Sequence, residues 1–281
     1  MNFQSLHYLL SVVFIIGINT FVQAEQRDEV LLASTLHYPP YEYMENGEAK
    51  GIAVDLIREA LKRVGEEEVT FQFYPWKRAV FLTQHGHSDI LFNAGKNKAR
   101  QEWGLYADSV LIQQSYVLFK RSDDEISVSP DFSDGADKSI AVRRGYLYGT
   151  GPFRQALDSN KFSAVTLSDS TEQSVSQLLN GRVDLFVGDL LPVLYYLKHE
   201  GLEREVDIVT HEGEFMEVLS WPTYLLFSKQ RTSGDFVQRV SNAMDNMKED
   251  GTFQAITERY ALEGVGNRFF TREYFDLSPI H

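Results

Sequence analysis

An α/β architecture built twice over is the fold class this chain predicts, and three observations carry it. From Val30 to Phe92 short β-rich runs alternate with amphipathic helical stretches, from Ser139 to Glu200 the alternation repeats, and the polar segment Arg121 to Lys138 separates the two. Strands alternating with helices make sheets with crossover helices. Two such units imply two lobes with a groove between them, the usual place for a ligand.

Each element has its own local reason. Val30 to Leu36 is β-rich and breaks at His37-Tyr38-Pro39-Pro40-Tyr41-Glu42-Tyr43, where two prolines force extended backbone and present aromatics from a loop. Asn46-Gly47 and Gly51 mark turns. Ala53, Val54, Ile57, Ala60, Leu61 and Val64 recur at helical spacing, and Gly65 suits the C-terminal stop. Val69 to Tyr74 alternates like a strand, and Pro75-Trp76 opens a helix through Thr83. Ile90 to Phe92 is too short for a helix and reads as a buried strand opening into a loop that ends on Arg100.

Val110 to Lys120 is a long β-rich run. Beyond the polar segment the pattern predicts a strand at Ser139 to Arg143, a helix near Pro152 to Ser159, a strand at Ala164 to Leu167 and a helix at Thr171 to Asn180. A strand at Val183 to Val187 and a helix at Leu190 to Glu200 follow. After the strand-like runs Val206 to Thr210 and Trp221 to Phe227, helices around Phe236 to Lys248 and Phe253 to Leu262 finish the chain, and the ending is expected to return to the first lobe.

Residues 1–24 contain no Asp, Glu, Lys or Arg, Leu9 to Ile18 is almost wholly apolar, and Val22-Gln23-Ala24 leads into a charged chain. That is the pattern of a secretory signal peptide, with an uncleaved N-terminal anchor as the alternative. The apolar run is shorter than the ~20 residues of a membrane span. The chain has no Cys, which excludes thiol and disulfide chemistry and a lipid tether on Cys. Its formal net charge of −13 argues against nucleic acid or an anionic membrane surface as partner.

Several kinds of chemistry find no support. His85 and His87, and His211 with Glu212 and Glu214, lack further ligands at a defined spacing, so no metal is expected. Gly145, Gly149 and Gly151 do not make a dinucleotide fingerprint, no Walker sequence occurs, and there is no Gly-x-Ser-x-Gly elbow. No cofactor is expected.

The residues with binding chemistry lie on predicted loops. Arg100 presents a planar fork of donors that matches a carboxylate, a role Lys cannot fill; the alternative is a surface pair with Glu102 or Asp108. Asp189 stands just before a helix, where it either caps that helix or faces the groove. Tyr38, Tyr41 and Trp76 offer aromatic faces, with core packing as the alternative.

Taken in order, Tyr38-Pro-Pro-Tyr41 with Gly51 and Asp55-Leu56, Asp89 followed by Arg100, Ile140-Ala-Val-Arg-Arg-Gly145, Leu179-Asn-Gly-Arg-Val-Asp184-Leu-Phe-Val-Gly-Asp189 and Ala243 to Tyr260 resemble the periplasmic solute-binding proteins of amino-acid ABC importers. The resemblance implies a type II-like, two-lobed α/β periplasmic binding protein whose lobes are joined by two crossover strands around a central cleft. It divides the chain into a signal peptide (1–24), a first part of lobe 1 (25–112), lobe 2 (113–219) and a return to lobe 1 (220–281). The crossings fall near Ile112 to Ser115 and Glu214 to Trp221.

By the family's pattern Arg100 would hold a ligand's α-carboxylate and Asp189 its α-ammonium, while Tyr38 or Tyr41 and Trp76 would close on the side chain. Where the family usually offers hydroxyl side chains before the Arg, this chain has Asn93, Ala94 and Gly95, which leaves Asn93 as the side-chain donor. In lobe 2 Gly145-Tyr146-Leu147-Tyr148 replaces Gly followed by Ser or Thr, so Tyr146 is expected in the groove. The resemblance implies a monomeric, non-enzymatic periplasmic receptor that hands a small polar ligand, an amino acid, to an ABC permease. The alternatives are an enzyme of the cyclohexadienyl dehydratase kind on the same scaffold and a sensor docking on a membrane signalling protein.

Overall fold

The computed structural model describes residues 30–146 and 148–260. The expected signal peptide (1–24) and the last two residues of the expected final helix lie outside them. No helix among the described residues is long and apolar enough to cross a membrane.

The first lobe begins with β1 (Leu31–Thr35), a hairpin of β2 (Tyr43–Glu45) and β3 (Glu48–Lys50) around Asn46-Gly47, and α1 (Ile52–Arg63). β4 (Val69–Phe73), α2 (Trp76–Gln84), β5 (Ile90–Ala94), α3 (Lys98–Trp103) and β6 (Gly104–Tyr106) follow. β1 lies parallel to both β4 and β5. The apolar stripe of α1 is fully buried against this sheet. The buried carboxylate of Asp89 ties β5 into place, accepting from the Leu32 N–H at 2.9 Å and pairing with Arg231 at 3.2 Å.

β7 (Ile112–Arg121) carries the chain into the other half of the same sheet. There β8 (Ser139–Arg143), α4 (Pro152–Asp158), β9 (Ala164–Ser168), α5 (Thr171–Leu179), β10 (Leu185–Asp189), α6 (Leu190–Glu200) and β11 (Val206–Ile208) build lobe 2. β8 is parallel to β9 and β10, whereas β10 and β11 run antiparallel to β7. Asp184 fastens the start of β8 by accepting from the Ser139 N–H at 2.7 Å and its hydroxyl at 2.6 Å.

A small hairpin, β12 (Thr210–His211) and β13 (Glu214–Phe215), precedes the twelve-residue strand β14 (Glu217–Ser228). The first half of β14 pairs with β7, Thr223 opposite Ile112, and its second half pairs with β5 and β6. β7 and β14 are therefore the two strands that join the lobes, and one curled sheet runs β4-β1-β5-β14-β7-β10-β8-β9.

The chain ends on α7 (Gly234–Glu249) and α8 (Thr252–Glu258), which pack on α1. Arg63 at the end of α1 reaches Asp250 at 2.7 Å and the Thr252 hydroxyl at 2.8 Å, and the Tyr260 hydroxyl donates to Asp55 at 2.8 Å. Apolar clusters fill both faces of the sheet, the largest gathering α1, α7 and α8 on one side and a second centring on Phe132, Phe153 and Phe162 beside β8 and β10.

One local reading differs from the structure. The segment after β5 is not an open loop throughout, because α3 forms within it and carries Arg100 on its first turn. The Asn97 side chain accepts from the Arg100 N–H at 2.8 Å, a cap that compensates for a helix of only six residues.

Candidate functional site

The prolines after β1 do more than interrupt a strand. The turn folds back so that the Tyr38 N–H donates to the Glu42 carbonyl at 2.7 Å, and the Pro40 and Tyr41 carbonyls accept from Ile52 and Ala53, the first N–H groups of α1. Those N–H groups have no partner within the helix, so the loop satisfies the helix while the helix fixes the loop. Gly51 is required at this junction: its φ is 122°, and a Cβ there would run into the Tyr41 carbonyl.

This loop aims two tyrosines across the cleft. The Tyr38 hydroxyl donates to one oxygen of Asp189 at 3.1 Å and the Tyr41 hydroxyl to the other at 2.9 Å. Asp189 is the last residue of β10 and stands at the N-terminus of α6, yet its side chain makes no capping bond; both oxygens serve the tyrosines of the other lobe. The carboxylate is 3% exposed, and no cationic side chain pairs with it among the described residues. Burial pushes its pKa up to about 7 against the opposing pull of the two hydroxyls. The same burial, and then the charge of Asp189, push the Tyr38 and Tyr116 hydroxyls well above the ordinary tyrosine range.

A second acid lies behind the tyrosines. Glu42 is wholly buried and accepts from Asn93 Nδ2 at 2.8 and 3.1 Å, while Asn93 Oδ1 accepts from the Thr223 hydroxyl at 2.6 Å. Burial drives the Glu42 carboxyl well above its usual value, with Asn93 pulling the other way and the charge of Asp189 adding to the rise. Asn93 holds this position at a φ of 55°, a conformation Asn tolerates better than most residues. Its amide is thus spent on Glu42.

Trp76 and Arg100 form a separate group. The Arg100 guanidinium stands 5.2 Å from the Trp76 ring, and its Nη1 donates to the Gly95 carbonyl at 2.8 Å, an oxygen that also accepts from the Tyr106 hydroxyl at 2.8 Å. The indole of Trp221 covers Gly95 so closely that any Cβ there would collide with it. Neither Glu102 nor Asp108 pairs with Arg100; Asp108 is 3.8 Å from Lys96.

Two spaces meet at the tyrosines. A chamber of about 20 Å³, room for a single water by volume, is lined by Tyr38, Tyr116, Arg143, Tyr146, Thr171 and Asp189 among others. It adjoins a groove of about 530 Å³ edged by Tyr43, Glu45, Arg143, Thr171, Tyr195 and His199. The structure therefore gathers Tyr38, Tyr41, Tyr146 and Asp189 in one place, sets Asn93 behind them, and puts Trp76 and Arg100 together at the edge of lobe 1, lining neither space.

Glu42, Tyr116, Arg143, Thr171 and Thr223 also belong to this architecture and were not singled out from sequence. For Glu42 a signal existed: a carboxylate wedged between tyrosines directly after Pro-Pro has little surface to escape to. Tyr116 and Thr223 sit inside β-rich runs where nothing distinguishes a cleft residue from a core one. No group of three or more His, Asp or Glu placed to hold a metal occurs among the described residues.

The family model of bacterial extracellular solute-binding proteins, family 3, matches residues 30–263. This chain belongs to that family. A curated relative, the L-cystine-binding protein TcyA of Bacillus subtilis (strain 168), is 26% identical over 230 residues, covering 81% of this chain and 79% of the relative. Among solved structures, the second substrate-binding domain of Lactococcus lactis GlnP in its open conformation superposes with a TM-score of 0.64 at 19% identity, covering 84% of this chain and 96% of that one. A histidine kinase sensor domain similar to periplasmic binding proteins gives 0.61 at 17% identity, over 82% and 95%. The family establishes a solute-binding protein, on the fold these solved structures share.

Proposed function

We propose that this protein is a periplasmic receptor that captures an amino acid by closing lobe 2 on lobe 1 and presents it to an ABC permease. The observation that carries the reading is Asp189: a buried carboxylate, contributed by one lobe, whose contacts from the other lobe are two tyrosine hydroxyls and no cation. An ammonium group is the ligand chemistry that compensates such a charge, and tyrosine oxygens can turn to accept from it as readily as they donate to Asp189. The relatives named for amino acids support the same choice.

Closure follows from the geometry. A ligand held by Asp189 on one side and Tyr38 and Tyr41 on the other has contacts in the closed form that the open form lacks, so its binding shifts the population toward closure. The family resemblance makes Arg100 the carboxylate clamp of this reading, with Trp76 beside its guanidinium and the Gly95 carbonyl taking one N–H, although it lines neither space here. Lobe 1 takes in 25–112 and 220–281 and lobe 2 113–219, a division supported by the sheet pairings. Residues 1–24 direct the chain to the periplasm as a signal peptide, and the receptor acts as a monomer.

A calorimetric and thermal-shift screen of the twenty amino acids and small organic acids tests this reading. It expects an amino acid to bind and Asp189→Asn to weaken that binding roughly 100-fold; a ligand without an ammonium group bound equally by both forms would overturn it. One observation favours a second reading: Asp189 near 7 and the raised Glu42 are the kind of tuned acids a dehydratase uses as proton donors. Turnover of prephenate or arogenate by the purified protein would decide for it.

A further inference from the structure

We propose that Arg143 and the outer groove form a second subsite, which receives an anionic group at the far end of a ligand longer than a simple amino acid. The inference rests on the assignment of Asp189 to the ligand's ammonium. The chamber at Asp189 offers about 20 Å³ and the groove about 530 Å³, and Tyr38, Arg143 and Thr171 line both. A molecule anchored at Asp189 and too long for the chamber therefore leaves it past Arg143.

Arg143 is placed to meet it. It is the last residue of β8, and its backbone N–H donates to the Tyr148 hydroxyl at 2.7 Å, which fixes the main chain beneath the side chain. The half-buried guanidinium lies 5.8 Å from the Tyr146 ring and has no hydrogen-bond or carboxylate partner among the described residues. Its neighbour Arg144 is by contrast held by Asp169 at 2.7 Å.

The acids bordering the groove do not neutralise Arg143. Glu45 is bound to Lys50 at 2.6 Å, and Glu172 is exposed to solvent. A planar cation lining the same space as Thr171 suits an oxyanion, a carboxylate above all, which it can engage with two parallel bonds. Tyr43 of lobe 1 and Tyr195 of lobe 2, their ring centres 5.7 Å apart, wall the groove and give an apolar linker two faces to cross. The ligand class this describes carries an ammonium at one end, an apolar middle and a carboxylate at the other.

Titration calorimetry with matched probes tests the assignment: L-2-aminosuberate and L-cystine, which bear a distal carboxylate, against L-2-aminooctanoate and S-methyl-L-cysteine, which do not. Wild-type protein is expected to prefer the distal acids, and Arg143→Gln to shrink that preference by about 10- to 100-fold. Arg143→Lys, which keeps the charge without the fork, should fall between, and melting curves check that each variant folds. If Arg143→Gln left the preference intact, or if the protein bound the probes without a distal carboxylate and refused those that bear one, the subsite would be wrong while Asp189 kept its role. If no ammonium-bearing probe bound at all, the assignment of Asp189 would fall and this one with it.

Discussion

The two walls of the cleft are built on opposite plans. On the lobe 1 side, Glu42, Asn93 and Thr223 satisfy one another, and Tyr38 and Tyr41 are held by a loop whose carbonyls cap α1. On the lobe 2 side stand two ionisable groups, Asp189 and Arg143, without an opposite charge paired to them among the described residues. The first wall is a scaffold that keeps its shape whatever binds; the second carries the electrostatic demand that a ligand answers. The difference implies that substitutions in the Glu42, Asn93 and Thr223 cluster should act on stability and those at Asp189 and Arg143 on affinity.

Asp189→Asn should break that comparison most severely if it is wrong. Removing the charge is expected to cost an ammonium ligand about 3 kcal/mol, roughly 100-fold in affinity by calorimetry, with the fold intact. Asn93→Ala is expected to act in the other direction. It strips the buried Glu42 of the Asn93 amide, leaving Thr35, and takes from Thr223 one of its two acceptors, the other being the Ile112 carbonyl at 3.1 Å, so unfolding free energy should fall by about 1–2 kcal/mol in a denaturant titration. If Asn93→Ala melted normally and lost only affinity, the scaffold role would have to be given up.

The pH dependence of stability sharpens the contrast. The folded-state pKa of Asp189, about 7, lies above the ordinary aspartate value of 3.8, so the unliganded fold binds a proton that the unfolded chain releases. Stability from this group is complete below about pH 4 and is lost as pH rises through 7. Between pH 5 and 8.5 the wild type should therefore lose ~1–3 kcal/mol relative to Asp189→Asn, seen as a gap in melting temperature that opens with pH. Tyr38→Phe should have the smallest effect, about 1 kcal/mol in affinity, because Tyr41 still donates to the same carboxylate.

Much of this was legible in the residues and some was not. The strand–helix alternation placed the longer elements from β1 to α6 to within a residue or two, because apolar periodicity reports directly on which face is buried, whereas the three-residue strands β2, β3 and β6 are too short to show a period. The short helix around Arg100 escaped notice because its stability comes from the Asn97 cap rather than from a stripe of apolar side chains. Asp189 and the two tyrosines could be singled out by type and position, but their meeting could not, since Tyr41 and Asp189 are 148 residues apart and their contact depends on both lobes. Glu42 shows the same limit from the other side: a carboxylate reads as exposed until the fold supplies Asn93 to hold it. Arg143 reads as one of two adjacent arginines, and only the path of β8 decides that Arg144 finds Asp169 while Arg143 faces the groove.

Proton release on ligand binding is the measurement that bears most directly on the role of Asp189. For an amino acid that binds, titrations at pH 6 in buffers of different ionisation enthalpy should show about one proton leaving per ligand as the ammonium ionises Asp189, falling toward none by pH 8.5. Binding at pH 6 with no proton released, by a ligand that Asp189→Asn binds equally well, would mean that the ligand's ammonium never meets this carboxylate, and the account would be contradicted at its centre.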